Sequence, residues 1–223
     1  MTTPPEAESD PVPTEPPAAP PRFPWPPGEQ DSILDGFTET WSGAALRPRS
    51  FFAAMPASLS FGAALLYYLV VGIVAAAIRL FWGLVLPAPD ITFLDELFPN
   101  AMRGSPLVEF LASPLTLLLS LYLAAGITHL LVLLLVPNHR RFGTTLRVFC
   151  FAYSPALCAV VPYAGSVVGF VWLTALSIIG VREAHGTSGA RAAATVLVPL
   201  ALALACIALA YALLTRAAGL FGG

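Results

Sequence analysis

His129 is the first residue whose type and position suggest chemistry. It lies in the run Ala-Gly-Ile-Thr-His-Leu-Leu and is the only readily ionisable side chain of a long apolar stretch. A polar group at this depth of a bilayer costs free energy unless it finds a partner, so His129 is expected to face the interior of a helical bundle. It is predicted to be either a structural histidine bonded to a neighbouring helix or a proton-relay or ligand-binding group. Thr128, Tyr153 and Ser154 are its candidate partners.

The tripeptide Tyr153-Ser154-Pro155 interrupts another apolar run. Pro155 has no N–H for the carbonyl one turn earlier, at Phe151, and in lipid that carbonyl needs a new donor. Broken helices line the solute sites of some transporters, and they also occur as kinks repaired by neighbouring groups. We therefore take His129, Tyr153, Ser154 and Pro155 as a candidate intramembrane polar site.

The other chemically competent residues are dispersed along the sequence. His139 and His185 lie in polar stretches, and Cys150, Cys158 and Cys206 lie in apolar runs without CxxC spacing. There is no HExxH, no GxSxG, no P-loop, no pair of intramembrane carboxylates and no sequence cluster of metal ligands. We therefore expect no catalytic residues, no cofactor and no bound metal, and a protein that is not an enzyme.

Composition places these residues in a membrane. The 223 residues are 57% hydrophobic and 11% charged, with a mean hydropathy of +0.77, whereas soluble domains are about 45–50% apolar and about 25% charged. A helical span needs about 20 apolar residues, and five runs approach that length. We predict an all-α, polytopic membrane domain at 33–217, with spans 1 to 5 at about 61–86, 114–136, 145–161, 166–181 and 192–214.

Spans 3 and 4 are short and are separated only by Pro162-Tyr-Ala-Gly165. They predict a tight helical hairpin, with a re-entrant pair as the alternative, because each run barely reaches the minimum of about 17 residues. Gly165 and Gly169 lie on one face of span 4 and permit close approach of another helix. Their predicted use is packing between spans rather than oligomerisation.

The chain before span 1 has a different character. Residues 1–32 are acidic and contain 11 of the 22 prolines, which predicts a disordered tail. From 33 to 58, apolar residues recur at helical spacing and Arg47 and Arg49 follow. This pattern predicts an interfacial helix with Trp41 at headgroup level, and a plain connector is the alternative.

Arginines are unevenly distributed between the two ends of the predicted spans. Seven fall on the side of the N-terminus, and Arg79, Arg103 and Arg216 fall on the other. Because basic residues accumulate in cytoplasmic loops, the N-terminus is predicted inside and the C-terminus outside. Arg79 is expected to snorkel to headgroups beside Trp82.

The loops on the inner side form a predicted basic face. Its members are Arg140, Arg141, Arg182, His185 and Arg191. The expected partner is the lipid bilayer, through anionic headgroups, with a membrane or cytoplasmic protein as the alternative and no nucleic acid. The chain has no lysine and is rich in Ala and Pro, which suggests a GC-rich bacterial genome and the bacterial cytoplasmic membrane.

Several segments in a fixed order resemble the Yip1 domain family, and the match covers about residues 37–215. They are Arg47-Pro-Arg-Ser-Phe-Phe52, Leu146-Arg-Val-Phe-Cys-Phe-Ala-Tyr-Ser-Pro155, Val161-Pro-Tyr-Ala-Gly165, Trp172 and Ile179-Gly-Val-Arg-Glu-Ala-His185. The resemblance implies five spans and a cytosolic N-terminus, as a prokaryotic-type member. Eukaryotic relatives bind Rab-type GTPases, but the Asp-Leu-Tyr-Gly-Pro motif of their cytosolic region has no counterpart here, so GTPase binding is not carried over.

Two functions fit these features. The first is a non-enzymatic membrane-organising or partner-binding scaffold, which accounts for the polar loops and the missing catalytic motifs. The second is a small-solute or lipid transporter with a site near His129 and Pro155, motivated by the buried histidine and the proline-broken helices. The near absence of intramembrane charge favours the scaffold.

Overall fold

The computed structural model describes residues 23–28, 30–86 and 105–221, and every regular element in these ranges is helical. The elements are α1 (Ile33–Leu46), α2 (Pro48–Ala54), α3 (Phe61–Val85), α4 (Pro106–Leu135), α5 (Phe142–Ala152), a 3₁₀ segment (Ser154–Val160), α6 (Ala164–His185) and α7 (Gly189–Phe221). Five stretches are long and apolar enough to cross a membrane: α3, α4, α5 with the 3₁₀ segment, α6 and α7. The predicted class, a polytopic all-α membrane protein with five spans, is confirmed.

Helices α3 and α4 form an antiparallel pair in which small residues let the backbones approach. Gly72 of α3 faces the side chain of Leu117, where an added Cβ would clash. The Tyr68 hydroxyl donates to the Leu117 carbonyl at 2.9 Å. Helix α4 begins at Pro106, eight residues before the predicted start of span 2 at Pro114. It continues through Pro114 without a break. Pro114 lies inside the helix, in its third turn, where it removes one backbone hydrogen bond without ending the helix, as membrane helices tolerate.

The bundle has two ends, which we name by their polar residues. The histidine end carries the loops 136–141 and 186–188, and the arginine end carries the end of α3, the start of α4 and the turn 161–163. At the arginine end, a Cβ on Gly83 would lie 3.0 Å from the Pro106 ring. The Trp82 indole N–H donates to the Val160 carbonyl at 3.2 Å. These contacts bring the three segments of that end together.

Span 3 changes from α-helix to 3₁₀-helix halfway and turns into α6 as the predicted hairpin. Gly165 and Gly169 of α6 face the 3₁₀ segment. A Cβ on Gly165 would overlap the Cys158 carbonyl, and a Cβ on Gly169 would lie 2.8 Å from the Pro155 carbonyl oxygen. Both glycines therefore serve packing within the hairpin. Because α6 runs on through polar residues to His185, it reaches 22 residues, which is long enough to cross a membrane.

The segment before span 1 packs on the bundle. Residues 1–22 and 29 of the predicted tail lie outside the described residues, but Trp25 is only 5% exposed. Its indole N–H donates to the Ala63 carbonyl at 2.6 Å, and its ring packs against Tyr67. The predicted interfacial segment forms two helices, α1 and α2, that meet at Arg47, because Pro48 starts a new helix.

Helix α7 contributes least to the packed interior. Its most apolar window, within Gly189–Leu213, contains no buried residue. Near its start, Ala192 and Thr195 are fully buried, and α7 packs against α4 and α6. From Leu197 to Leu213, most side chains are exposed and apolar, as expected for a helix that borders lipid.

Candidate functional site

Side chains from two other helices, with Ser154 itself, repair the break in span 3. Pro155 cannot donate to the Phe151 carbonyl, and the Ser154 hydroxyl donates to it at 2.7 Å instead. The Tyr67 hydroxyl lies 2.8 Å from Ser154 Oγ, and it is the donor because the serine proton is already used. The Trp41 indole N–H donates to the Ser154 carbonyl at 3.0 Å. The donor that the sequence requires for Phe151 is thus supplied by the neighbouring serine.

A second polar cluster lies at the histidine end, where α4, α5 and α6 meet. His129 Nδ1 lies 2.9 Å from Thr145 Oγ1, and the same oxygen lies 3.0 Å from His185 Nε2. The backbone N–H of Arg140 donates to His185 Nδ1 at 3.2 Å. All three side chains are buried. One threonine hydroxyl therefore connects three helices, and His185 connects them to the loop between spans 2 and 3.

The direction of these hydrogen bonds follows from the backbone donor. An amide N–H can only donate, so His185 Nδ1 accepts and the proton of the neutral ring is on Nε2. Nε2–H then donates to Thr145 Oγ1, and the same hydroxyl is hydrogen-bonded to His129 Nδ1. The network therefore runs from the Arg140 amide through His185 and Thr145 to His129, and the His185 ring is neutral. Such a closed network holds its members in one arrangement.

The third histidine joins the same cluster. His139 Nδ1 lies 3.2 Å from the Val136 carbonyl, and its ring centroid lies 6.2 Å from that of His129. The rings of Phe142 and His185 also contact His129, with centroids at 5.4 and 6.2 Å. Among the described residues, no group of three or more His, Cys, Asp or Glu has an arrangement that could hold a metal ion. Two of the imidazoles meet at the Thr145 hydroxyl instead.

The structure divides the candidate intramembrane polar site into two. Tyr153, Ser154 and Pro155 form the repaired break, whereas His129 bonds to Thr145 and His185. Sequence reasoning missed Thr145 as the partner of His129. A signal was present, because a short loop joins spans 2 and 3, and a residue at the head of span 3 must then lie beside the end of span 2.

The predicted basic face is smaller than expected. Arg140, Arg141 and Arg191 are exposed at the histidine end. The side chain of Arg182 is 43% exposed, and its Nε lies 3.7 Å from the Glu183 carboxylate. His185 does not lie on the exposed surface, because its ring is buried in the network. The freely accessible part of the face therefore consists of three arginines.

These features define a class: a helical membrane protein with five candidate spans, a broken third span and an N-terminal segment packed on the bundle. The family model of the Yip1 domain matches residues 43–210, most of the chain. The chain belongs to the Yip1 domain family, as the resemblance in sequence predicts. No curated protein and no solved structure was found to be similar to it.

The segments that carry the resemblance supply the contacts described above. Ser154 of the Tyr-Ser-Pro segment repairs the broken span, and Gly165 of the Pro-Tyr-Ala-Gly turn allows the close approach in the hairpin. Gly180 lies against Phe52 of α2, and His185 accepts the Arg140 amide. Several motif residues therefore hold separate helices together. Ser154 and His185 do so through side-chain hydrogen bonds, and Gly165 and Gly180 allow close contact because they have no side chain.

Proposed function

We propose that this protein is a non-enzymatic membrane-organising scaffold that gathers anionic lipid headgroups at its histidine end. The observation that carries the proposal is the bond from the Arg140 amide to buried His185, at 3.2 Å. This bond fixes the loop between spans 2 and 3 on the end of α6. Exposed Arg140 and Arg141 are thereby held close to the loop that leads to Arg191.

The charge of this face suits lipid phosphates. None of the three exposed arginines forms an ion pair with a carboxylate among the described residues. Arg182, by contrast, pairs with Glu183. A guanidinium presents two parallel N–H donors to a phosphate and keeps its charge at any physiological pH. Each basic residue near an anionic surface contributes about 1 kcal/mol to membrane attraction. The face is predicted to be cytoplasmic, with the N-terminus inside and the C-terminus outside.

Transport, the alternative suggested by the sequence, has less support from the geometry. The Ser154 hydroxyl and carbonyl already have protein partners, and so does the Phe151 carbonyl. His129 Nδ1 is likewise bonded within the protein. Discontinuous helices that bind solutes present their unpaired backbone groups to the ligand, whereas the groups of this break are used internally.

Lipid retention tests the proposal. The full-length protein is placed in nanodiscs of phosphatidylcholine with a minor fraction of phosphatidylglycerol, and the lipids that remain bound are counted by native mass spectrometry. The double variant Arg140→Gln/Arg141→Gln is expected to retain about thirtyfold less phosphatidylglycerol than the wild type, from roughly 1 kcal/mol for each of the two arginines. Arg216→Gln is the matched control. Equal retention by the double variant and the wild type would contradict the proposal.

Vesicle permeability separates the scaffold from the transporter. Proteoliposomes loaded with small solutes or labelled lipid are expected to be as tight as protein-free vesicles. A protein-dependent flux that disappears with His129→Ala would support transport instead. The orientation is checked with reporters fused to each end: cytoplasmic fluorescence is expected at the N-terminus and phosphatase activity at the C-terminus.

A further inference from the structure

A cleft opens between α3 and α4 at the arginine end, which is the opposite end of the bundle from the basic face. Its volume is about 390 Å³. Apolar side chains form most of its wall, and four polar residues from the two helices line it as well: Arg79, Glu109, Ser113 and Thr116. The wall includes Leu80 and Val108, side chains on the outer surface of the spans. A ligand that combines a polar group with hydrocarbon chains suits such a cleft.

Arg79 supplies the positive charge of the cleft. It lies six residues before the end of α3, or about 9 Å along the helix axis at ~1.5 Å per residue, a depth near the headgroup region. Its side chain is exposed and interacts with the Tyr153 hydroxyl, but no carboxylate among the described residues forms an ion pair with it. The guanidinium therefore keeps donors for an external anion.

Glu109 supplies a negative charge to the same cleft. It lies in the first turn of α4, is exposed, and forms no ion pair with Arg79 or with another described cation. Arg79 and Glu109 thus line one cleft without pairing with each other. Such an arrangement can bind a ligand that carries one negative and one positive charge. Anchoring by snorkelling explains an arginine at this depth, but it does not explain the carboxylate beside it.

Two further polar groups line the cleft. Ser113 is 5% exposed, and its buried hydroxyl has no hydrogen-bond partner among the residues that the structure describes. Pro114 has no N–H for the carbonyl of Phe110, which also lines the cleft. Buried polar groups without partners are rare and costly, so a site that leaves them open is expected to receive a polar ligand.

We propose that this cleft binds the headgroup of a zwitterionic aminophospholipid. The phosphate lies against the Arg79 guanidinium, and the primary ammonium lies against the Glu109 carboxylate, with the Phe110 carbonyl as a further acceptor. The acyl chains then leave between α3 and α4 along Leu80 and Val108. A primary ammonium has three N–H donors for these acceptors, whereas a trimethylammonium has none. The headgroup with unmethylated nitrogen is therefore the preferred ligand.

This inference does not depend on the function proposed for the histidine end, because the two sites share no residue and bind lipids of different charge. The test places the full-length protein in nanodiscs with equal amounts of phosphatidylethanolamine, phosphatidylcholine and phosphatidylglycerol, and counts the retained lipids by native mass spectrometry. To keep the basic face from masking the result, the experiment is done on the Arg140→Gln/Arg141→Gln background.

Phosphatidylethanolamine is expected to exceed each of the other two lipids by about tenfold, the size of a charge-assisted hydrogen bond. Arg79→Gln should lower retention of all three lipids severalfold. Glu109→Gln should abolish the preference for phosphatidylethanolamine over phosphatidylglycerol, and Glu183→Gln at the other end should leave it unchanged. A thermal unfolding curve for each variant checks that the fold is intact.

Three results would overturn the proposal. One is equal retention of the three lipids by the parent protein, and another is an unchanged lipid count in Arg79→Gln with an intact fold. The third is a preference for phosphatidylethanolamine that survives Glu109→Gln, because the ammonium would then be recognised elsewhere.

Discussion

The two ends of the bundle handle polar groups in opposite ways. At the histidine end, the Thr145 hydroxyl accepts from His185 and is also hydrogen-bonded to His129, so the buried groups bond to one another. At the arginine end, Arg79 and Glu109 line one cleft, stay exposed and do not pair with each other. The first arrangement fixes helices in place, whereas the second leaves charge available to a ligand.

This difference between bonded and unpaired polar groups indicates which residues of the protein can bind a ligand. A buried histidine is the usual candidate for intramembrane chemistry, but here His129 bonds to Thr145, and it is His185 that accepts from the backbone of the loop at Arg140. Both proposals assign lipid recognition to residues nearer the ends of the spans, where exposed arginines form no ion pair with a described carboxylate. A polar group is informative about ligands only once its internal partners are known.

Disruption of the hairpin should cause the largest loss of stability, because the hairpin turn is part of the arginine end. It would therefore change the arginine end more than the histidine end. Gly165→Ala places a Cβ on the Cys158 carbonyl, a backbone atom that cannot move aside. We expect a loss of about 3 kcal/mol in the free energy of unfolding, the upper end of the usual cost of overpacking. Unfolding in detergent micelles measures it. Gly126→Ala, whose Cβ has nothing within 4 Å, is the control and should be neutral or stabilising.

Removal of the central hydroxyl should open the histidine end. Thr145→Val leaves His129 Nδ1 and His185 Nε2 buried without their partner, which should cost about 2 kcal/mol of unfolding free energy. Thr145→Ser keeps the hydroxyl and should recover most of the loss. Thr174→Val, at a partly exposed site on α6 where the hydroxyl bonds only within its own helix, should be nearly neutral. If Thr145→Val proves as stable as the wild type in the same unfolding assay, the network does not hold this end together.

A smaller effect is expected at the break that lies between the two ends. Trp41→Phe removes the indole N–H that the Ser154 carbonyl accepts, for a loss of about 1 kcal/mol. Trp172→Phe changes the ring in the same way at a partly buried site on α6 and serves as the control. Equal losses in the two variants, measured by thermal unfolding, would show that ring packing rather than the hydrogen bond matters at Trp41.

The smallest effect on stability should come from the residue with the largest proposed effect on lipid binding. Arg79→Gln removes an exposed charge and should change the free energy of unfolding by no more than about 0.5 kcal/mol. Detergent unfolding without added lipid measures this change. A loss comparable to that of Thr145→Val would mean that Arg79 is structural, and the contrast between the two ends would disappear.

Much of the fold was predictable because span detection depends on local hydropathy. The five spans, the hairpin at Pro162 and the need for a new donor at Phe151 all follow from short stretches of sequence. The limits of the helices were less predictable. Helix α4 starts at Pro106 rather than at Pro114, because Pro114 in its third turn does not end it. Helix α6 continues to His185 because its polar last turn extends beyond the apolar region.

The candidate sites were predicted less well. His129 was recognised as buried, but its partner Thr145 was not, and the three dispersed histidines lie together in the structure. Arg79 was expected to be an anchor, and nothing in the sequence connected it with Glu109. Trp25 was assigned to the tail, yet its ring is in the packed interior.

Local sequence is enough to predict five helical spans, because a bilayer admits few solutions for apolar runs of this length. The order of the motif segments is enough to predict the Yip1 domain family. Which polar groups meet depends instead on how the helices pack. A span that is apolar on all sides does not reveal its rotation about its own axis, and that rotation decides whether Thr145 reaches His129. For the same reason, only the packed bundle shows that Arg79 and Glu109 line one cleft.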